Sequence, residues 1–569
     1  MKGFQIVLFF LLIPIFIFSQ NRYDVVIDEI MADPAPQVGL PNNEWIELRN
    51  TTSSPINLQG WHLGDINGQS GAFPDFILEP DSLVIVCTGS ALAEMSSFGT
   101  TFSVTSFPSL GNGGDQIFLR AINGNIIHAV AYSTTWFQNE LKKEGGWTLE
   151  MIDTKNPCTG SSNWKASTSP LGGTPGKTNS IDGINRDQTA PALKYSYTID
   201  SVTLIAVFDE PLDSLKGTDV SNYIIDGGLS VLIANALTPS FNTVQLKLSG
   251  PLLINTVYNL TVNNVFDCSS NVIGVLNTVK AGLPQEPSSM DVVINEILFN
   301  PGANGYDYIE YYDRGNKIIN AAGLFAANRN SGGIISSIGQ IVPTPFYIFP
   351  GEYFVITENA ASLKINYLVN NPDALLELTT MPSYPDDAGD VILLNGQGDV
   401  VDEVKYNAGW QFKLIDNPEG VSLERIDPGA ISQDEASWHS AASTAGYGTP
   451  GYKNSQYKQS QIIDAIINVA PKIFSPDNDG HDDVTSIQYK VTAPGYVVNI
   501  TIFDSQGRPV RELVKNGTLG ISGQWNWDGL DEKGNKLAIG IYIIYTDMFN
   551  LLGKKQHFKN TVVLAKKLN

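Results

Sequence analysis

Beyond its first twenty residues the chain is written in short runs of alternating apolar and polar side chains. Gly, Pro, Asn or Asp breaks them at short intervals. In DVVIDEIM (24–31), Val25, Ile27 and Glu29 alternate with Val26, Asp28 and Ile30, and SLVIVCT (82–88) and YFVITE (353–358) are compact β-branched runs. A period of two places alternate residues on opposite faces, as in a strand covered on one side. Helical spacing is confined to two short candidates, Ala91–Phe98 and Ala361–Val369, each directly after such a run. Many short strands with turn signals between them predict an all-β chain of tandem sandwiches.

The N-terminus follows a different pattern. Lys2 precedes the apolar run Val7–Phe18, and Ser19-Gln20 supplies a small residue for cleavage. This is the layout of a secretory signal peptide over 1–19, cut between Ser19 and Gln20. The run is short of the roughly 20 residues that span a bilayer, and no second apolar stretch of spanning length follows. A retained membrane anchor is the competing reading, and intact-mass measurement of exported protein distinguishes the two.

Self-comparison organises the rest. DVVIDEIMADP (24–34) returns as DVVINEILFNP (291–301), and NEWIEL (43–48) as YDYIEY (306–311). GDQIFL (114–119) returns as GDVILL (389–394), and WTLEMID (147–153) as VSLERID (421–427). Trp164 and Trp438 follow, and the copies close with GTPGKTNS (173–180) and GTPGYKNS (448–455). Repetition in this order marks a duplicated module.

The [IV]-x-E-[IV] opening, the x-[WY]-I-E-[LY] strand, the G-D strand and the closing G-T-P-G resemble the lamin tail domain, an immunoglobulin-like sandwich, over roughly 24–179 and 291–455. The second copy departs in having Tyr308 for Trp45 and no counterpart of Gly60-Trp61. Between the copies, FDEPLD…Y-x-L-x-V…D-x-S-x-N resembles the bacterial Ig-like domains that recur as spacers in exported surface proteins. The last segment carries Trp527, Asp528, Gly529, Asp531, Gly534, Gly540 and Tyr542, and a hairpin turning on Ser505–Arg508. It is similar to the Ig-like domain of flagellar hook-capping proteins. Its FSPDNDG start also looks like the C-terminal modules of proteins exported by type IX secretion in gliding bacteria, which implies an export or attachment role. The expected segments are a leader at 1–19, lamin-tail-like domains at 20–180 and 291–455, a bacterial Ig-like domain at 190–282, and a C-terminal Ig-like module at 466–569.

A formal charge of −23 argues against nucleic acid as a partner, because binding phosphates needs clustered Lys and Arg. No pair among the five histidines has metal-ligand spacing, and G-x-S-x-G is absent. GGTPGKT (172–178) has Leu171 where a phosphate-binding loop needs Gly, so it reads as a closing turn, and GNGGD (111–115) as a hairpin turn. The carboxylates common to both copies are Glu29/Glu296, Glu47/Glu310, Asp115/Asp390 and Glu150/Glu424. They read as a requirement of the fold, with an acid–base pair or metal site as the alternative. Tyr306, Tyr308, Tyr311 and Tyr312 crowd one strand and read as packing, or as a sugar-stacking edge.

Two further constellations are open. Cys87 and Cys158 have Thr357 and Ser432 as counterparts, so both thiols are absent together from the second copy. Either they form a disulfide in the first module, leaving Cys268 unpaired, or they are two unrelated small residues. Asp477, Asp479, Asp482 and Asp483 surround Gly480 in SPDNDGHDD, either as oxygen ligands for Ca²⁺ or as an Asx-rich turn. The expected function is a non-catalytic secreted or cell-surface scaffold or adhesin-like protein, with a protein or polysaccharide partner. A polysaccharide-binding accessory protein and a secreted hydrolase, by association with nucleases or phosphoesterases, are the alternatives.

Overall fold

The computed structural model describes residues 20–413, 415–457, 467–491, 496–519, 522–550 and 555–566. The leader and its cleavage site, and the first residue of the expected C-terminal module, lie outside them. Among the described residues no helix is long and apolar enough to cross a membrane. The fold is all-β, a series of Ig-like sandwiches. The chain forms two compact units, one comprising residues to Pro251 with Tyr258–Ala281, the other Leu252–Val257 with Gly282–Asn569.

In the first unit a six-stranded sheet runs Trp164–Ala166, Leu149–Met151, Val25–Met31, Trp45–Asn50, Leu83–Thr88, Thr101–Val104, antiparallel except for the last pair. Facing residues of this sheet and of the sheet His62–Gly64, Gly114–Arg120, Ile126–Ser133 share one core. Ile46, Leu48, Val84 and Val86 pack there with Ile117, Leu119 and Ile127, around Trp61 and Trp164. Each such side chain contributes about 1.5–3 kcal/mol on burial. The far face of the large sheet carries a second cluster of Met31, Leu40, Trp45, Ile85, Cys87 and Met95. Met95 comes from the short helix Leu92–Met95, inside the span predicted helical. The same unit holds a four-stranded sheet (Leu193–Asp200, Thr203–Phe208, Thr243–Leu248, Val231–Ala236) and a three-stranded one (Tyr223–Ile225, Tyr258–Val262, Thr278–Ala281).

The second unit repeats the six-stranded sheet strand for strand. Its order is Trp438–Ser440, Leu423–Arg425, Val292–Leu298, Tyr308–Asp313, Tyr353–Thr357, Leu375–Glu377, with the last pair again parallel. The helix Ala360–Asn366 follows the fifth strand. The missing Gly-Trp pair is replaced in kind: Leu324 N donates to Ala321 O as Trp61 N does to Leu58 O, and Leu324 is fully buried. Farther along, a three-stranded and a five-stranded sheet enclose Trp527, and the hairpin Tyr496–Asp504/Pro509–Thr518 turns where expected.

Strict alternation fails at one position in each copy. Ile27 is opposite Leu48 but Glu29 is opposite Glu47, so Asp28 is the extra residue of a β-bulge. Ile294 and Glu296 bracket Asn295 in the same way. A bulge reverses the facing of everything beyond it. It turns Glu29 and Glu296 out of the apolar core and onto the far face of the sheet.

Candidate functional site

The bulge completes a row of carboxyls. Glu29 stands opposite Glu47 on one neighbouring strand and Glu150 on the other. Glu296 stands likewise between Glu310 and Glu424. All six are fully buried. Like charges set side by side away from water repel and lose their hydration, so such a row survives only if donors reach it or protons neutralise it.

The closing G-T-P-G motif brings the donors. In the first copy Thr174 N donates to Glu29 Oε1 (2.7 Å), Thr174 Oγ1 to Glu150 Oε1 (2.9 Å) and Gly176 N to Glu47 Oε1 (2.5 Å). In the second, Thr449 N donates to Glu296 Oε1 (2.9 Å), Thr449 Oγ1 to Glu424 Oε1 (2.9 Å) and Gly451 N to Glu310 Oε2 (2.7 Å). One motif thus serves three carboxyls. Gly176 has φ +74°, and a Cβ there would meet Phe98 O at 2.5 Å, so the loop's approach requires glycine. Three residues past the motif an asparagine pins the bulge: Asn179 Nδ2 donates to Asp28 O and Met151 O, and Asn454 Nδ2 to Asn295 O and Arg425 O. Burial, reinforced by the neighbouring carboxyls, pushes Glu29 and Glu424 up to about 8 and raises Glu47 and Glu310 strongly. Buried and engaged by their own chain, these carboxyls anchor a loop. They present no face to a substrate.

The fourth shared carboxylate does not join the row. Asp115 accepts from Gly111 N and Gln116 N at its own turn. Of the four tyrosines, Tyr308 and Tyr311 are fully buried, half-buried Tyr312 packs on Tyr353, and Tyr306, which precedes the strand, is exposed. Tyr308 OH donates to Glu296 Oε1 at 2.7 Å.

The cysteine pairing expected from the sequence is corrected. Cys158 bonds to Cys268 with a Cα–Cα distance of 6.0 Å, and Cys87 is the free thiol, its pKa raised by burial to about 11. The two counterparts in the second copy answer to separate demands. Thr357 Oγ1 donates to Asp307 O. Ser432 Oγ donates to Asp402 Oδ1 beside the buried Arg425–Asp402 ion pair. Where the first copy has His128 accepting from Ile27 N, the second has Asp402 accepting from Ile294 N, and this polar substitution draws in Arg425 and Ser432. The joint loss of two thiols therefore records two unrelated substitutions.

In SPDNDGHDD the carboxylate oxygens of Asp477, Asp479 and Asp483 gather within 4.8 Å of one another, and Asp482 is not among them. Asp483 is buried and accepts from Asn478 N and from Gly480 N (2.9 Å). Asn478 Oδ1 is buried without a partner. Sequence reasoning missed a second acidic trio, Asp187, Glu210 and Asp267, because its members come from three separate segments of the first unit. Burial, then the neighbouring Asp267 and Asp187, raises Glu210 to about 8.

Residues 19–134 match the family model of the Lamin Tail Domain. No curated protein matches the chain. Among solved structures it is similar to the N-terminal part of the bacterial S-layer protein SbsC, at 15% identity and TM-score 0.16, over 29% of this chain and 40% of that one. Dimeric latent PorU from Porphyromonas gingivalis aligns over 71% of this chain and 35% of its own at 11% identity and TM-score 0.15. A tetra-tandem repeat from the extending region of a large adhesion protein aligns over 95% and 99% at 12% identity and TM-score 0.13.

Proposed function

We propose that this protein is a non-catalytic scaffold, secreted or held at the outer cell surface, that presents Ig-like modules to a protein or polysaccharide partner. The observation that carries this reading is the use made of the conserved pattern within the chain. The glutamates that both copies keep are consumed in fastening each module's own closing loop. The polar residues the copies share thus maintain a fold, while their other positions are free to diverge. The lamin-tail match at 19–134 supports a first domain at 20–180. The recurrence of sheet order, bulge and closing loop supports a second of the same family at 291–455. The spacer at 190–282 and the attachment or export module at 466–569 complete the proposed chain.

Protease shaving of intact expressing cells is the direct test. Release of fragments from 20–569, with no DNA- or phosphoester-hydrolysing activity co-purifying with the full chain, is the expected result. Hydrolysis that follows the pure protein through successive columns would establish the hydrolase alternative instead.

The loop at Asp477–Asp483 is proposed to take Ca²⁺ on Asp477, Asp479 and Asp483, a hard-cation donor set that further oxygens would complete. A melting transition of the full chain is expected to rise in millimolar Ca²⁺ and to lose that response in Asp477→Asn/Asp479→Asn. An unchanged melt leaves an Asx turn.

A further inference from the structure

The two copies act as each other's control, and they differ in how completely the carboxyl row is satisfied. In the second copy every oxygen of Glu296, Glu310 and Glu424 lies within reach of a donor group, the Thr449 hydroxyl being shared between Glu296 Oε2 and Glu424 Oε1. Asn295 Nδ2 donates to Glu310 Oε1 at 2.7 Å, while Asn295 Oδ1 has no partner. The first copy has Asp28 at the Asn295 position. There Glu29 Oε2, Glu47 Oε2 and both oxygens of Asp28 are buried with no partner. Asp28 is fully buried. A buried acceptor with no donor is costly, and four together within one bulge are costlier still. An asparagine that supplies N–H has been exchanged for an acid that can supply a hydrogen only when protonated.

We propose that Asp28 is a neutral carboxylic acid in the folded first module and offers its hydroxyl as a hydrogen-bond donor toward Glu47, where Asn295 offers an amide to Glu310. The groups around it leave little alternative. From its own strand comes Glu29, from the adjacent strands Glu47 and Glu150, and from loops Asp81 and Asp182. The cation in reach is Arg49, which is spent on Asp81 at 2.7 Å. His128, behind the bulge, is held neutral, burial lowering it to about 4 while its Nδ1 accepts from Ile27 N.

The direction of the pH effect follows. Burial raises Asp28 to about 7 from an ordinary 3.8, so the folded module keeps a proton that the unfolded chain has released. Stability from this group is full below about pH 4, falls as pH climbs to about 7, and has no more to lose above that. One proton corresponds to about tenfold in the local opening equilibrium per pH unit across that window.

Hydrogen exchange of the full chain, read by mass spectrometry over Val25–Met31 and corrected for intrinsic rates, tests the assignment. Asp28→Asn is expected to match wild type near pH 4 and to exceed its protection by more than about tenfold near pH 8. Asp28→Ala, which supplies no hydrogen at all, is expected to lose protection at both. The reciprocal Asn295→Asp should lose protection over Val292–Leu298 near pH 8 while matching wild type near pH 4. Three results would overturn the proposal. One is an Asp28→Asn chain less protected than wild type near pH 8, which would mean an ionised, paired Asp28. Another is an Asp28→Asn chain indistinguishable from wild type at every pH. The third is wild-type protection near pH 8 restored by millimolar Ca²⁺, which would make the row a cation site.

Discussion

Glu296→Ala is expected to destabilise the second module by about 3–5 kcal/mol, enough to open it at moderate urea while the first module stays folded. Glu296 accepts from Tyr308 OH, Ser422 Oγ, Thr449 N (2.9 Å) and Thr449 Oγ1 (3.1 Å), all in the interior. Truncation removes the acceptor and leaves three residues with buried donors facing a void, at about 1–3 kcal/mol for each unsatisfied group. The closing loop also loses its central anchor, so exchange should accelerate over residues 448–455 as well as over Val292–Leu298. Glu296→Gln keeps the shape and one acceptor, and a smaller loss is expected. Urea titration followed by exchange over those peptides measures both. A chain in which Glu296→Ala left protection at residues 448–455 unchanged would show that the loop is held by other means.

Loss of the Cys158–Cys268 bridge is the second large effect. The bond closes a loop of 110 residues. A crosslink of that span removes about 4–5 kcal/mol of chain entropy from the unfolded state, and native bridges commonly deliver about 2–4 kcal/mol. Cys268→Ser is therefore expected to lower the stability of the first unit by about 3 kcal/mol. Cys87→Ser, which exchanges a thiol for a hydroxyl in an apolar cluster, should act without changing the redox response. Non-reducing peptide mapping should recover 158 joined to 268. Alkylation should reach Cys87 only after unfolding, because it is buried and its raised pKa keeps it as the thiol. Equal labelling of Cys87 in native and denatured protein would contradict that placement.

Much of this architecture was legible in the residues. The duplicated strands, the two short helices, the hairpin at Ser505–Arg508 and the closing role of G-T-P-G all carry local signals. Alternation, turn residues and repetition are written in consecutive positions. The bulge at Asp28 and Asn295 was not legible, because an inserted residue changes which face its neighbours occupy without changing the apolar pattern that reveals the strand. Reading Glu29 in step with Val25 and Ile27 puts it on the wrong side. The glutamate row depends in turn on the register of three strands whose members lie far apart in sequence, 121 residues from Glu29 to Glu150 and 128 from Glu296 to Glu424. The cysteines misled for a related reason. Comparing copies identifies positions that vary together, but Ser432 is explained only by Arg425 and Asp402, whose packing no linear comparison displays.

The long reach of the closing loop has a consequence for how the protein is made. Thr174 N and its acceptor on Glu29 are separated by 145 residues, and Thr449 N and Glu296 by 153. At a synthesis rate of roughly 5–20 residues per second, each module waits about seven to thirty seconds for the segment that seals it. During that interval its glutamates can stay ionised and hydrated, and shutting the sheet over them would cost the desolvation of three charges with no amides yet there to receive them. The row thus acts as a checkpoint in time. It keeps an incomplete module open while its own ending is still inside the ribosome, and so gives two related sequences with the same strand order less opportunity to trade strands before each has its own seal.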